Sequence, residues 1–150
     1  MINILGYASR EHKQIALKSA TLALNFLKQQ TLEVSIKFVS KEEIQRLNKE
    51  FRNIDKVTDV LSFPATNCKI GDTLPENEYL GDMALCVARA KEQSKDYGTT
   101  VEAELSKLVV HSVLHLFGYD HIKDEDYKIM KKEEEKIEKY IKEQQQKNGI

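Results

Sequence analysis

The chain has 150 residues, 41% of them hydrophobic and 31% charged, with a formal net charge of −1. That is one soluble domain over residues 1–150 with room for a substantial core, and it excludes a disordered chain or a nucleic-acid binder that relies on a global basic excess. Two cysteines outside any CxxC pair exclude a disulfide framework and read as reduced thiols, and with no membrane-length apolar run and no signal-peptide pattern the expected compartment is the cytoplasm.

In chain order, residues 2–7 read as a short first strand and residues 11–29 as a helix, with Ile15, Leu17, Leu22, Leu24, Phe26 and Leu27 on its apolar side. Residues 32–39 alternate with period two, the pattern of a half-buried strand. Ser40-Lys41-Glu42-Glu43 is a capping box that opens a second helix carrying Ile44, Leu47 and Phe51. Residues 57–63 are β-branched and apolar, and Pro64 is expected to stop them. Residues 65–79 form a long loop without period. Residues 80–87 are apolar on both alternating faces and predict a central strand; residues 89–97 predict a short helix. Thr99, with Glu102 three residues on, is expected to cap the next helix, and Asp124 a last one through Tyr127, Met130, Ile137 and Ile141, with residues 142–150 as a frayed tail. The order β-α-β-α-β-β-α-α-α predicts an α+β fold, with helices packed on a mixed sheet of about four strands.

Three of the four histidines fall in one stretch, His111, His115 and His121, spaced H-x3-H-x5-H. On a helix the first two lie one turn apart on the same face, beside a stripe made by Val101, Leu105, Leu108 and Leu116. Gly118 stands where a third ligand from the same helix would otherwise fall, and a left-handed turn there would swing His121 back towards the pair. Three histidines with one position open are the ligand set of a catalytic zinc-type site. His12 stands alone near a helix start and reads as a surface residue.

A second constellation runs from Arg46-Leu47-Asn48-Lys49-Glu50-Phe51-Arg52 through Thr58-Asp59-Val60-Leu61-Ser62-Phe63-Pro64 to Leu80-Gly81-Asp82-Met83. With the histidine motif, over about residues 45–122, this resembles the YbeY family of bacterial rRNA maturation factors and metal-dependent single-strand endoribonucleases. The pattern departs at two places. Val57 stands where family members commonly carry proline, and Ser112 where they carry glycine; neither removes a ligand. The resemblance implies that His111, His115 and His121 bind one divalent ion, zinc first, and that Arg52 serves RNA processing. It also implies work on the 3′ end of small-subunit rRNA and in ribosome quality control, with single-stranded rRNA and the ribosome or ribosomal proteins as partners.

An open metal site can polarise a phosphoryl oxygen and lower the pKa of bound water, while the planar donors of Arg52 could neutralise charge on the phosphorane. Asp82 or Asp120 could orient a ligand histidine, although each reads equally well as a turn or cap residue. An RNA groove is expected along Arg52 and Lys56, with Arg46 and Arg89 as further candidates. Two other readings remain. The motif H-x3-H-x2-G-x2-H matches the ligand spacing of metzincin proteases, but Ser112 occupies the place of their glutamate base. A non-catalytic ribosome-assembly factor stiffened by its metal would keep the same three histidines.

Overall fold

A computed structural model describes residues 1–147 of the chain. Its elements are β1 (Ile2–Gly6), α1 (Arg10–Phe26), β2 (Glu33–Phe38), α2 (Lys41–Arg52), β3 (Val60–Pro64), β4 (Tyr79–Leu85), α3 (Val87–Tyr97), α4 (Val101–Leu116) and α5 (Asp124–Lys147). The fold is α+β, and the sheet is four-stranded and mixed, in the order β1-β2-β4-β3. β1 and β4 run parallel to β2, and β3 runs antiparallel to β4. β4 is central, as its two apolar faces require. Met83 and Leu85 enter the main core with α1 and α4, while Ala84 and Cys86 meet Ile44 of α2 and Leu61 on the other face.

Several local expectations shift. The buried face of α1 is Ala16, Ser19, Ala20, Ala23 and Leu24, whereas Leu17 is exposed. Small side chains let α1 lie close against α4, where Ser19 and Ser106 share a hydrogen bond of 2.9 Å. Phe51 likewise lies mostly outside the core and meets Phe63 edge-on. The capping box at Ser40 forms, its hydroxyl accepting from Glu43 N at 3.1 Å. The cap of α4 is Thr100 rather than Thr99, accepting from Ala103 N at 3.1 Å. Thr99 belongs to the end of α3, where Gly98 turns left-handed and the Thr99 amide donates to Ser94 O. Asp124 is the first residue of α5 rather than its cap, and Pro64 pairs with Gly81 inside β3. The frayed tail expected from residue 142 is helix as far as Lys147, because Met130, Ile137 and Ile141 anchor α5 on the core and the residues beyond are good helix formers. Residues 148–150 of that tail lie outside the described residues.

Two glycines set how closely the functional elements approach. At Gly81 a side chain would sit 2.5 Å from Phe63 O and 2.9 Å from Leu116, so its absence lets β3, β4 and α4 pack together. Gly118 has φ +97°, and a side chain there would lie 2.3 Å from the Cys68 carbonyl oxygen. Across the sheet, the fully buried Ser112 hydroxyl of α4 meets the Ser62 hydroxyl of β3 at 2.7 Å.

Gly118→Ala is expected to destabilise the fold by at least ~2 kcal/mol, since it adds left-handed strain to a clash with backbone, measured by urea unfolding. Ser112→Ala should cost about 1–3 kcal/mol by leaving the Ser62 hydroxyl alone in the core. The Ser62→Ala/Ser112→Ala double variant should lose less than the two single losses added together; strict additivity would mean the hydroxyls do not depend on each other.

Candidate metal centre and cleft

α4 brings His111 and His115 to one face, one turn apart, with ring centroids 4.5 Å from each other. The helix then ends in a Schellman motif. Gly118 N donates to His115 O and Tyr119 N to Leu114 O, each at 3.0 Å. The chain reverses, and His121 returns to within 5.5 Å of the His111 ring and 5.1 Å of the His115 ring, centre to centre. One nitrogen from each of the three histidines lies within 4.8 Å of the others. The cluster could hold a metal ion.

The outer nitrogens of two rings are already engaged. His115 Nδ1 lies 2.9 Å from Tyr119 O, and His111 Nδ1 lies 2.9 Å from Glu134 Oε1 on α5. Their Nε2 atoms face each other at 3.0 Å. Two nitrogens bound tetrahedrally to one zinc stand roughly 3.3 Å apart, so the pair fits such an ion. Burial, reinforced by the neighbouring His111, lowers the pKa of His115 to about 4 against the opposing hydrogen bond to Tyr119; His121 and Arg52 lower it further. His115 is therefore neutral at neutral pH, the form in which an imidazole donates a lone pair to a metal.

The histidines lie in an open cleft of about 890 Å³. Arg52, at the end of α2, lines it and donates to Ser62 O at 3.1 Å. Lys56 also lines it, in a turn held where Asn48 Nδ2 donates to Lys56 O at 3.0 Å. Lys107, one turn before His111, is a third lining cation that sequence reading overlooked. Arg46 and Arg89 are not part of the cleft. Arg46 is paired with Glu43 and Glu50, and Arg89 with Glu92, which also pairs with Lys41. His12 sits apart near the start of α1, partly exposed.

Neither aspartate proposed as a histidine partner has that role. Asp82 pairs with Phe63 in the sheet and points with it to the face opposite α4, where it accepts from the Tyr79 hydroxyl. Asp120 lines the cleft, but its carboxylate caps a turn by accepting from Ile122 N at 3.3 Å. Their places are taken by Tyr119 O and Glu134. A signal for Glu134 was present. Met130, Glu134, Ile137 and Ile141 follow the 4-3-4 spacing of a helix's inner face, so this glutamate interrupts an apolar stripe.

A family model described as Endoribonuclease YbeY matches residues 5–142. A protein of Caldicellulosiruptor saccharolyticus named Endoribonuclease YbeY is 44% identical over 118 residues, 75% of each chain. One of the same name from Clostridium acetobutylicum is 44% identical over 143 residues, covering 85% of this chain and 82% of its own. The solution structure of TM1509 from Thermotoga maritima superposes with a TM-score of 0.67 at 28% identity, over 99% of this chain and 93% of that one. With its histidines, its cleft and these similarities taken together, the chain belongs to the YbeY endoribonuclease family.

Proposed function

We propose that this chain is a metal-dependent endoribonuclease that hydrolyses single-stranded RNA, acting in 3′-end maturation of small-subunit rRNA and in ribosome quality control. Its place of work on this reading is the cytoplasm, on the ribosome or with ribosomal proteins. The observation that carries the reading is the convergence of His111, His115 and His121 in the same cleft as Arg52. Zinc suits an all-nitrogen donor set with a position left open. When bound, such an ion supplies Lewis acidity to a phosphoryl oxygen and to water.

The chain's own residues do the rest. His115 is kept neutral by its burial, and its ring is fixed by Tyr119 O. One nitrogen of Arg52 is anchored on β3, which holds the guanidinium in the cleft to bind phosphate and to offset negative charge as the bond breaks. Lys56 and Lys107 add positive charge along the path of the backbone. A protease reading lacks its base, because the Ser112 hydroxyl is buried and bound to Ser62. A purely structural ion fits poorly with histidines that line an open cleft.

Incubation of zinc-loaded protein with a single-stranded rRNA fragment should give cleavage. His115→Ala and Arg52→Glu, purified identically, should each lose about 100-fold or more in rate. Equal cleavage by all three would assign the activity to a contaminant, and none by any would favour the assembly-factor reading. Zinc at about 100 times its Kd should stabilise the parent by ~2.7 kcal/mol in thermal unfolding. Chelation should reverse that gain, and His115→Ala should show little of it.

A further inference from the structure

We infer that Glu134 is a positioning residue of the metal centre, holding His111 in the tautomer whose Nε2 is free to bind the ion. The inference rests on the metal-binding reading proposed above. Glu134 Oε1 lies 2.9 Å from His111 Nδ1, with the two side chains 25% and 29% exposed. An ionised carboxylate only accepts hydrogen bonds, so the proton between them belongs to Nδ1. Tyr119 O, also only an acceptor, imposes the same tautomer on His115 at 2.9 Å. Both Nε2 atoms then carry lone pairs, and they face each other at 3.0 Å. Two lone pairs in that position repel unless a cation lies between them. The pair is thus preorganised for a positive ion from two sides, by a carbonyl and by a carboxylate.

The two supports differ in origin and in strength. Tyr119 comes from the turn that ends α4, four residues from the histidine it orients. Glu134 comes from α5, 23 residues from His111, and reaches it only because Met130, Ile137 and Ile141 dock that helix on the core. Its negative charge also makes the His111 ring a stronger donor than a neutral acceptor would. Glu133 and Glu135, its neighbours on the chain, make no hydrogen bond to a histidine among the described residues.

The test combines zinc affinity, from competition with a chromophoric chelator, with the ring-nitrogen chemical shifts of His111 in metal-free protein at neutral pH. The parent should show Nδ1–H. Glu134→Gln, whose amide oxygen still accepts, should keep that tautomer and bind zinc within several-fold of the parent. Glu134→Ala should give a tautomer mixture and weaken zinc by roughly 10–100-fold, with Glu135→Gln as an unaffected control. An Nε2–H tautomer in the parent, or Glu134→Ala retaining both the tautomer and the affinity, would overturn the inference. Should the parent bind no zinc, the metal reading falls on its own. The tautomer shift in Glu134→Ala then decides the positioning role, its presence supporting the role and its absence refuting it. If Glu134→Ala fails to fold, Glu134→Asp takes its place: a carboxylate one methylene short of the ring should also lose the tautomer.

Discussion

The site depends on the reversal at Gly118. An α-helix presents two histidines on one face at a spacing of four, but the next position on that face is already a full turn further along the axis. A third ligand for the same ion must come from chain that has turned back. The turn needs a positive φ and passes so close to Cys68 O that only glycine fits. Once made, it returns His121 to the pair and also delivers the Tyr119 carbonyl to His115 Nδ1. The placing of His121 and the orientation of His115 therefore follow from the same few backbone dihedrals.

The cleft is assembled around one residue of β3 in a comparable way. The Ser62 hydroxyl holds Ser112 of α4, and the Ser62 carbonyl holds Arg52 at the end of α2. The helix that carries the histidines and the arginine that faces them are thereby referenced to the same point on a strand. Strands are stiffer than loops, so the separation between Arg52 and the three histidines is set by the sheet. Gly81 on the neighbouring strand keeps that sheet close to α4 by leaving room for Leu116. The serine at position 112 is on this account part of the frame that holds α4 against β3.

Much of this was legible in the chain. The order of elements, the central β4, the histidine triad and the Gly118 turn follow from periodicity and from side-chain chemistry that depends on near neighbours in sequence. What was not legible depends on which face of the sheet a residue occupies. Asp82 sits beside Gly81 in a motif that resembles a functional one, yet strand alternation sends it away from α4 to Tyr79. The α1 face was legible in part: Leu24 is buried and Ile15, Leu22, Phe26 and Leu27 pack against the core, but Leu17 is exposed, and the close contact with α4 selects alanine and serine. Arg46 and Arg89 looked free as cations, but each has an acidic partner a turn away on its own helix.

Charge explains why a protein with a formal net charge of −1 can present a site suited to a polyanion. Imidazole ligands are neutral, so a divalent ion held by three of them keeps its full charge towards an incoming phosphate, whereas carboxylate ligands would cancel part of it. The low pKa of His115 is consistent with this, since a protonated imidazole would repel the ion. Glu134 restores one negative charge, but behind His111, where it strengthens the ligand without occupying the open side. On the proposed function, Arg52, Lys56 and Lys107 act across a short range, with Asp59 and Asp120 lining the same cleft. Attraction to RNA on this scheme is local and strongly screened by salt, and it depends more on the ion in the cleft than on the rest of the surface.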